Sequence, residues 1–109
     1  MTVPYPLEEV MASTPEAKVK DKIKKMLAEH NVYYAMPIGS MFGNSGVPDF
    51  LCCINGCFLA IEAKAKGNKP TALQEKHLKD IREAGGTAVV VDENNLDYLE
   101  MIIKKRKES

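Results

Sequence analysis

The spacing of apolar residues along the chain predicts three helices. The first is expected to begin after Ser13 or Thr14, with Pro15 in its first turn, because hydroxyl side chains cap helices and proline is tolerated there. The second is expected to open at Thr71 and to end at Gly85–Gly86, and the third runs into the charged C-terminus. The inward-facing stripes of the first and third helices are Val19, Ile23, Met26, Leu27 and His30, and Leu96, Leu99, Ile102 and Ile103.

Short runs of apolar, β-prone residues predict four strands, two of which form a hairpin. Residues 49–54 and 57–65 contain two such runs, and Asn55–Gly56 between them is a strong signal for a two-residue turn. Both runs are almost wholly apolar, so the hairpin is expected in the middle of a sheet with both faces covered. Val32–Met36 and Thr87–Val91 supply the other strands. This order predicts an α/β domain, with a mixed central sheet flanked by helices.

Composition predicts a single domain in a reducing compartment. The 109 residues are 45% hydrophobic and are expected to form one unit, 1–109, with an irregular arm at 1–12 and a charged tail at 104–109. The N-terminus lacks a basic segment followed by an apolar run, and no apolar stretch is long enough for a membrane span, so a cytoplasmic protein is expected. The three cysteines match neither a zinc ligand set nor a disulfide framework, and are expected to be small buried residues.

The overall charge argues against a nucleic-acid partner. Lys+Arg and Asp+Glu cancel at 15 each, whereas affinity for phosphate comes largely from an excess of Lys and Arg. The lysines are nevertheless concentrated at 18–25, at 64–69 and in the KKRK run at the C-terminus. Such clusters are usually solvated helix faces, so they support DNA binding only when another feature already indicates it.

The predicted hairpin brings three charged residues together. With Asn55–Gly56 as the turn, the register places Asp49 directly opposite Glu62, and Lys64 lies two residues further along the same face. Opposed carboxylates repel, and a half-buried carboxylate is costly unless it is paired or bound to metal. A divalent cation would resolve the conflict, and a lysine beside it would act on a phosphate or its attacking water. Alternatively, the three side chains meet solvent and pair as ions.

A resemblance to a known nuclease family favours the metal site. The GVPD sequence at 46–49, followed by an apolar strand and EAK at 62–64, resembles the core of PD-(D/E)XK nucleases. With a glutamine in a helix that starts T-x-x-Q at 71–74, the chain is similar to the virus-type replication–repair nuclease (VRR-NUC) branch of that superfamily. The similarity covers roughly residues 14 to 91, and the order and spacing of the motifs are more specific than either motif alone.

The resemblance implies a restriction-endonuclease-like αβββαβ core and cleavage of DNA, often branched DNA, with Mg²⁺ or Mn²⁺. It implies that Asp49, Glu62 and the backbone carbonyl of Ala63 bind the metal, and that Lys64 and Gln74 join the two carboxylates as catalytic residues. It further implies a role in replication or repair in a bacterial or phage-infected cell. The expected enzyme is therefore a structure-specific, metal-dependent deoxyribonuclease.

Two helix residues have alternative explanations. In the family, a glutamate on the first helix can complete the metal shell, and Glu16 is the best match. It is spaced to face the sheet rather than the lysines, but Ser13-x-x-Glu16 is also the pattern of a capping box. Gln74 corresponds to the family's helix glutamine, but Thr71-x-x-Gln74 is likewise a capping box. Both roles stay open for both residues.

Partners follow from the same resemblance. A homodimer is expected, with an interface around the first strand and the loop after it, because one chain carries one active site and two-fold dimers are common. The rival hypotheses are a catalytically silent DNA-binding or assembly subunit, and a sequence-specific restriction-type nuclease. The expected DNA contacts are Lys18, Lys22, Lys25, Lys66, Lys69, Ser40 and Asn44.

Overall fold

A four-stranded mixed sheet organises the part of the chain that the computed structural model describes, residues 14–38 and 45–108. The strands lie in the order β1-β2-β3-β4; β1 and β2 are antiparallel, β2 and β3 are antiparallel, and β3 and β4 are parallel. The α/β class and the mixed sheet are as predicted. The elements are α1 (Pro15–Glu29), β1 (Tyr33–Ala35), β2 (Phe50–Ile54), β3 (Cys57–Ala63), α2 (Ala72–Glu83), β4 (Thr87–Val91) and α3 (Leu96–Glu108).

The β2–β3 hairpin has the predicted turn. Asn55 and Gly56 have φ angles of 49° and 80°, and positive φ at both turn residues is what a tight hairpin of this kind requires. Ile54 therefore pairs with Cys57, and the ladder continues to the pair of Phe50 with Ile61. The side-chain amide of Asn55 also donates to the carbonyl of Arg106, at 2.8 Å, which ties the turn to the end of α3.

Helices cover the two faces of the sheet. Leu59, Ile61 and Ala63 of β3 lie on one face, in the cluster that contains the buried stripes of α1 and α3. The alternate residue Ala60 lies on the other face and packs with Leu78 of α2. The buried residues of the first and third helices are Val19, Ile23, Leu27, Leu99 and Ile103, in agreement with the predicted stripes.

The second face is not covered near the hairpin turn, which corrects one expectation. Phe58 is 43% exposed and its cross-strand partner Cys53 is also exposed, so of the three cysteines only Cys52 is buried. The coverage that α2 gives to Ala60 is incomplete near the turn, where Phe58 and Ile81 line an open pocket at the end of α2. Burial raises the pKa of the Cys52 thiol to about 12, which keeps it protonated.

The ends of α1 resolve the choice of its cap. Thr14 is the N-cap, because its Oγ1 accepts a hydrogen bond from the N–H of Ala17 at 3.2 Å. Glu16 is then the second residue of the helix, so the capping box considered for Glu16 does not form. At the other end, His30 is the C-cap of α1, and its Nε2 lies 3.0 Å from Oε2 of Glu100 in α3.

Candidate active site at the end of the hairpin

The candidate site lies where β2 begins and β3 ends. The predicted register is confirmed as far as the pair of Phe50 with Ile61, but Asp49 lies in a bend one residue beyond it, so no Asp49–Glu62 backbone pair forms. Instead, the Oδ2 atom of Asp49 accepts a hydrogen bond from the N–H of Ala63 at 2.9 Å. The carboxylate takes the place of the next ladder bond because an ionised acceptor makes the stronger hydrogen bond.

The backbone of Ala63 is oriented by its other neighbour, β4. Ala63 pairs with Val91 in the parallel ladder, and the N–H of Lys64 donates to the carbonyl of Val91 at 2.9 Å. In a parallel ladder the residues before and after Ala63 make those bonds, so the N–H and C=O of Ala63 itself point away from β4. The carbonyl oxygen of Ala63 therefore faces the same side as Asp49, as its expected role as a metal ligand requires.

Glu62 is the most unusual residue of the described chain, because it is the one charged residue among the buried ones, with 1% of its surface exposed. Its Oε2 lies 3.5 Å from the Nζ of Lys64, and its Oε1 is buried with no hydrogen-bond partner in residues 14–38 or 45–108. Burial, followed by repulsion from Asp49, raises the pKa of Glu62 to about 7, although Lys64 acts in the opposite direction. A buried polar atom without a partner is rare and is expected to have a functional explanation.

Lys64 is held inside the site rather than in solvent. Only 12% of its side chain is exposed, and its ammonium group is paired with Glu62. A charged amine in a poorly hydrated position interacts more strongly with a nearby anion than the same group does in water. Lys64 is therefore suited to stabilising negative charge that develops beside Glu62.

Lys20 is a site residue that sequence reasoning missed. Its Nζ lies 3.4 Å from Oδ1 of Asp49 and 3.7 Å from Oε2 of Glu16. Glu16 was expected to face the sheet rather than Lys18, Lys22 and Lys25; its carboxylate contributes to the raised pKa of Glu62 and also pairs with Lys20. Lys20 follows Glu16 by four residues, the spacing of neighbours on a helix face, and that signal would have found it.

Gln74 forms the capping box at the start of α2. Its Oε1 accepts from the N–H of Thr71 at 2.9 Å, and its own N–H donates to the Oγ1 of Thr71 at 3.2 Å. The side-chain nitrogen Nε2 has no hydrogen-bond partner in the described parts of the chain. Capping therefore uses the side-chain oxygen of Gln74, whereas its side-chain nitrogen takes no part in the capping box.

Gly46 holds the GVPD segment against α2. Its φ is +86°, a conformation that side chains disfavour, and an added Cβ would lie 2.6 Å from Cγ of Leu73. The same Cβ would lie 3.2 Å from a ring carbon of His77, so the imidazole also lies close to Gly46. The close approach of Gly46 to α2 fixes the chain that leads into Asp49.

The expected DNA-binding lysines are all exposed, but they do not enter the carboxylate cluster. Lys18, Lys22 and Lys25 lie on the outer face of α1, and Lys66 and Lys69 lie in the turn between β3 and α2. The remaining two, Ser40 and Asn44, lie outside the described residues. The five lysines provide positive charge on two elements that also carry the site residues Lys20 and Lys64.

The oxygen donors at the site fit a hard divalent cation. No group of three or more His, Cys, Asp or Glu side chains in residues 14–38 and 45–108 is arranged to hold a metal. Asp49 and Glu62 with the carbonyl of Ala63 make a smaller set, made of oxygen alone. Mg²⁺ and Mn²⁺ accept such sets because water and substrate complete the shell, whereas structural zinc needs four protein ligands, usually Cys and His. The unpaired Oε1 of Glu62 is the observation that favours this fit.

Comparison with known proteins adds no family assignment. No protein-family model matches the sequence, and no curated protein is significantly similar to it. Also, within the described ranges, no helix has the length and apolar character needed to cross a membrane. The resemblance to the VRR-NUC branch therefore depends on the motif residues and their order in the chain.

Proposed function

We propose that this protein is a metal-dependent DNA endonuclease of the VRR-NUC type, acting on branched DNA. The single observation that carries the proposal is the buried carboxylate of Glu62, whose Oε1 has no partner among the described residues although Asp49 lies nearby to repel it. Folding alone does not explain this arrangement, because an apolar residue at position 62 would avoid the desolvation cost. A cation held by Glu62, Asp49 and the Ala63 carbonyl gives the buried charge a function.

The residues around the cation would divide the work of phosphodiester hydrolysis. When bound, Mg²⁺ or Mn²⁺ supplies activation of a water and neutralisation of phosphate charge. The N–H of Ala63 holds Asp49 in place, so that its carboxylate is oriented before substrate arrives. Lys64 keeps a positive charge beside the reacting phosphate and stabilises the charge that develops on its oxygens.

Gln74 and the exposed lysines would bind and orient the DNA. The Nε2 of Gln74 can donate to a phosphate oxygen while its Oε1 continues to cap α2. Lys18, Lys22 and Lys66 would contact the sugar–phosphate backbone on either side of the site. Contacts to the sugar–phosphate backbone do not distinguish one base from another, so they favour recognition of DNA structure over DNA sequence.

A cleavage assay on a panel of labelled DNAs tests the proposal. Single-stranded, duplex, flap and four-way-junction substrates are incubated with Mn²⁺, with Mg²⁺ or with excess EDTA. Cleavage is expected with the cations, strongest on a branched substrate, and is expected to vanish in EDTA and in Asp49→Asn. Glu83→Gln is the matched control, because that carboxylate lies on the exposed side of α2, with 66% of its side chain exposed. Equal cleavage in EDTA would overturn the metal site.

A catalytically silent DNA-binding subunit is the second candidate. Two observations favour it: the net charge of zero, and the ion pair between Lys20 and Asp49, which satisfies a carboxylate that the metal would need. The same panel separates the two, because a silent subunit would shift DNA in a gel without cutting it under any cation. A restriction-type nuclease would instead cut duplex DNA at one fixed sequence.

A further inference from the structure

Lys20 contacts Oδ1 of Asp49, the carboxylate oxygen that does not accept the hydrogen bond from the backbone of Ala63. Oδ2 of Asp49 is bonded to the N–H of Ala63 at 2.9 Å, and the ammonium group of Lys20 lies 3.4 Å from the other oxygen, Oδ1. The same ammonium group lies 3.7 Å from Glu16, so it bridges α1 and the start of β2. A divalent cation bound at Oδ1 would be close to this positive charge.

The charges around the site explain why Lys20 is there. Glu16, Asp49 and Glu62 are acidic, and Lys20 and Lys64 are basic, so the cluster has a formal charge of minus one when all five are ionised. Lys64 is paired with Glu62, which leaves Lys20 as the counter-ion of the other two carboxylates. A bound dication would supply more positive charge than the carboxylates need and would repel Lys20.

We propose that Lys20 competes with the divalent cation for Asp49. Its ammonium group holds the Asp49 carboxylate until a cation binds, and then leaves it. The proposal rests on the proposed function, because it assumes that Asp49 is a metal ligand. Lys20 is thereby a positioning residue that sets the cation concentration at which the site fills.

The surroundings of Lys20 distinguish it from an ordinary surface ion pair. One helical turn further along α1, Lys24 pairs with Asp21 at 3.9 Å, with about half of each side chain exposed (45% and 52%), and such pairs contribute little. Lys20 and Asp49 are less exposed, at 32% and 20%, so their charges are less screened by water. Lys24 therefore provides a matched control on the same helix.

Calorimetric titration with Mn²⁺ alone, at about pH 8 and low salt, tests the competition. Lys20→Gln removes the charge and keeps a polar, slightly shorter side chain of similar helix propensity, and is expected to bind Mn²⁺ roughly threefold to tenfold more tightly than the wild type. Lys20→Arg keeps the charge and Lys24→Gln leaves the site intact, so both are expected to bind as the wild type does. The advantage of Lys20→Gln should shrink at high salt, which screens the repulsion.

Each outcome decides a different point. If the wild type binds Mn²⁺ and Lys20→Gln binds it equally or more weakly, the competition is refuted and the proposed function survives. If Lys20→Arg also gains affinity, the effect is one of packing and the proposal is equally refuted. If no variant binds Mn²⁺, the metal site and the proposed function both fail, and there is nothing for Lys20 to compete with. Circular dichroism of each variant confirms that it is folded.

Discussion

The buried carboxylate of Glu62 should make the protein less stable as the pH rises through neutrality. In the folded protein the pKa of this group is raised from 4.5 to about 7, mainly by burial. The folded state therefore binds the proton more tightly than the unfolded state, and the free energy of unfolding falls between these two pKa values. At about 1.4 kcal/mol for each pKa unit, the full loss is about 3 kcal/mol and is complete above the folded pKa.

Glu62→Gln isolates this effect from every other titration. The variant keeps the shape of the side chain but has no proton to lose, so its stability lacks the Glu62 contribution to the pH dependence. Urea unfolding of both proteins is measured from about pH 5 to about pH 8 in EDTA, and the difference between them is plotted against pH. As the pH rises over this range, the free energy of unfolding of the wild type should fall by about 2 to 3 kcal/mol relative to that of Glu62→Gln, since most of the predicted loss lies between these pH values. The cost of burying the amide of the variant does not depend on pH, so it shifts the whole difference curve and does not change its shape.

That change is large for a chain of this length. Domains are stable by about 0.05 to 0.15 kcal/mol per residue, so about 3 kcal/mol is a substantial part of the total. Glu83→Gln serves as the control, because it also replaces a carboxylate by an amide, but at a position where 66% of the side chain is exposed. A flat curve for Glu62→Gln, or one that favours the wild type as the pH rises, would refute the claim that folding buries a charge there.

Three further predictions concern the proposed enzyme. Lys64→Ala should lower the cleavage rate about a hundredfold or more with little change in DNA affinity, because the lysine acts on charge that develops in the transition state; near wild-type cleavage would remove it from the mechanism. Millimolar Mn²⁺ or Mg²⁺ should raise the melting temperature of the wild type but not of Asp49→Asn, and equal shifts would place the metal elsewhere. Light scattering should give about twice the chain mass of 12.1 kDa, with the interface at β1, where Tyr33 is 76% exposed, and a mass near one chain would exclude the dimer.

The hairpin was predictable because its register is set locally. Asn55 and Gly56 both accept positive φ, and a turn of two residues fixes every pair behind it. Glu62 was therefore located correctly on the sheet, and so was Lys64 two residues later. The inward stripe of α1 was predictable for the same reason, because its period of three to four residues is a property of the sequence alone.

The contacts that complete the site depend on elements distant in sequence. The residues next to Asp49 in sequence do not indicate that its carboxylate will accept a hydrogen bond from the N–H of Ala63 and end the ladder. That contact depends on where the backbones of β2 and β3 diverge. The contact of Lys20 with Asp49 requires the angle at which α1 crosses the sheet. For Gln74, pattern and structure leave the same two roles, since one amide end caps the helix and the other has no partner among the described residues.

The net charge of zero does not conflict with DNA binding when the positions of the acidic residues in the structure are considered. Three of the acidic residues, Glu16, Asp49 and Glu62, belong to the cluster, and with Lys20 and Lys64 they carry a formal charge of minus one when all five are ionised, which repels phosphate. A dication bound as proposed would change that charge to plus one and would release Lys20 beside the site. The surface that meets a phosphate group would therefore become attractive only after the cation has bound. If the proposed function holds, such a cluster would order the two events, cation first and DNA second, without needing a chain that is basic overall.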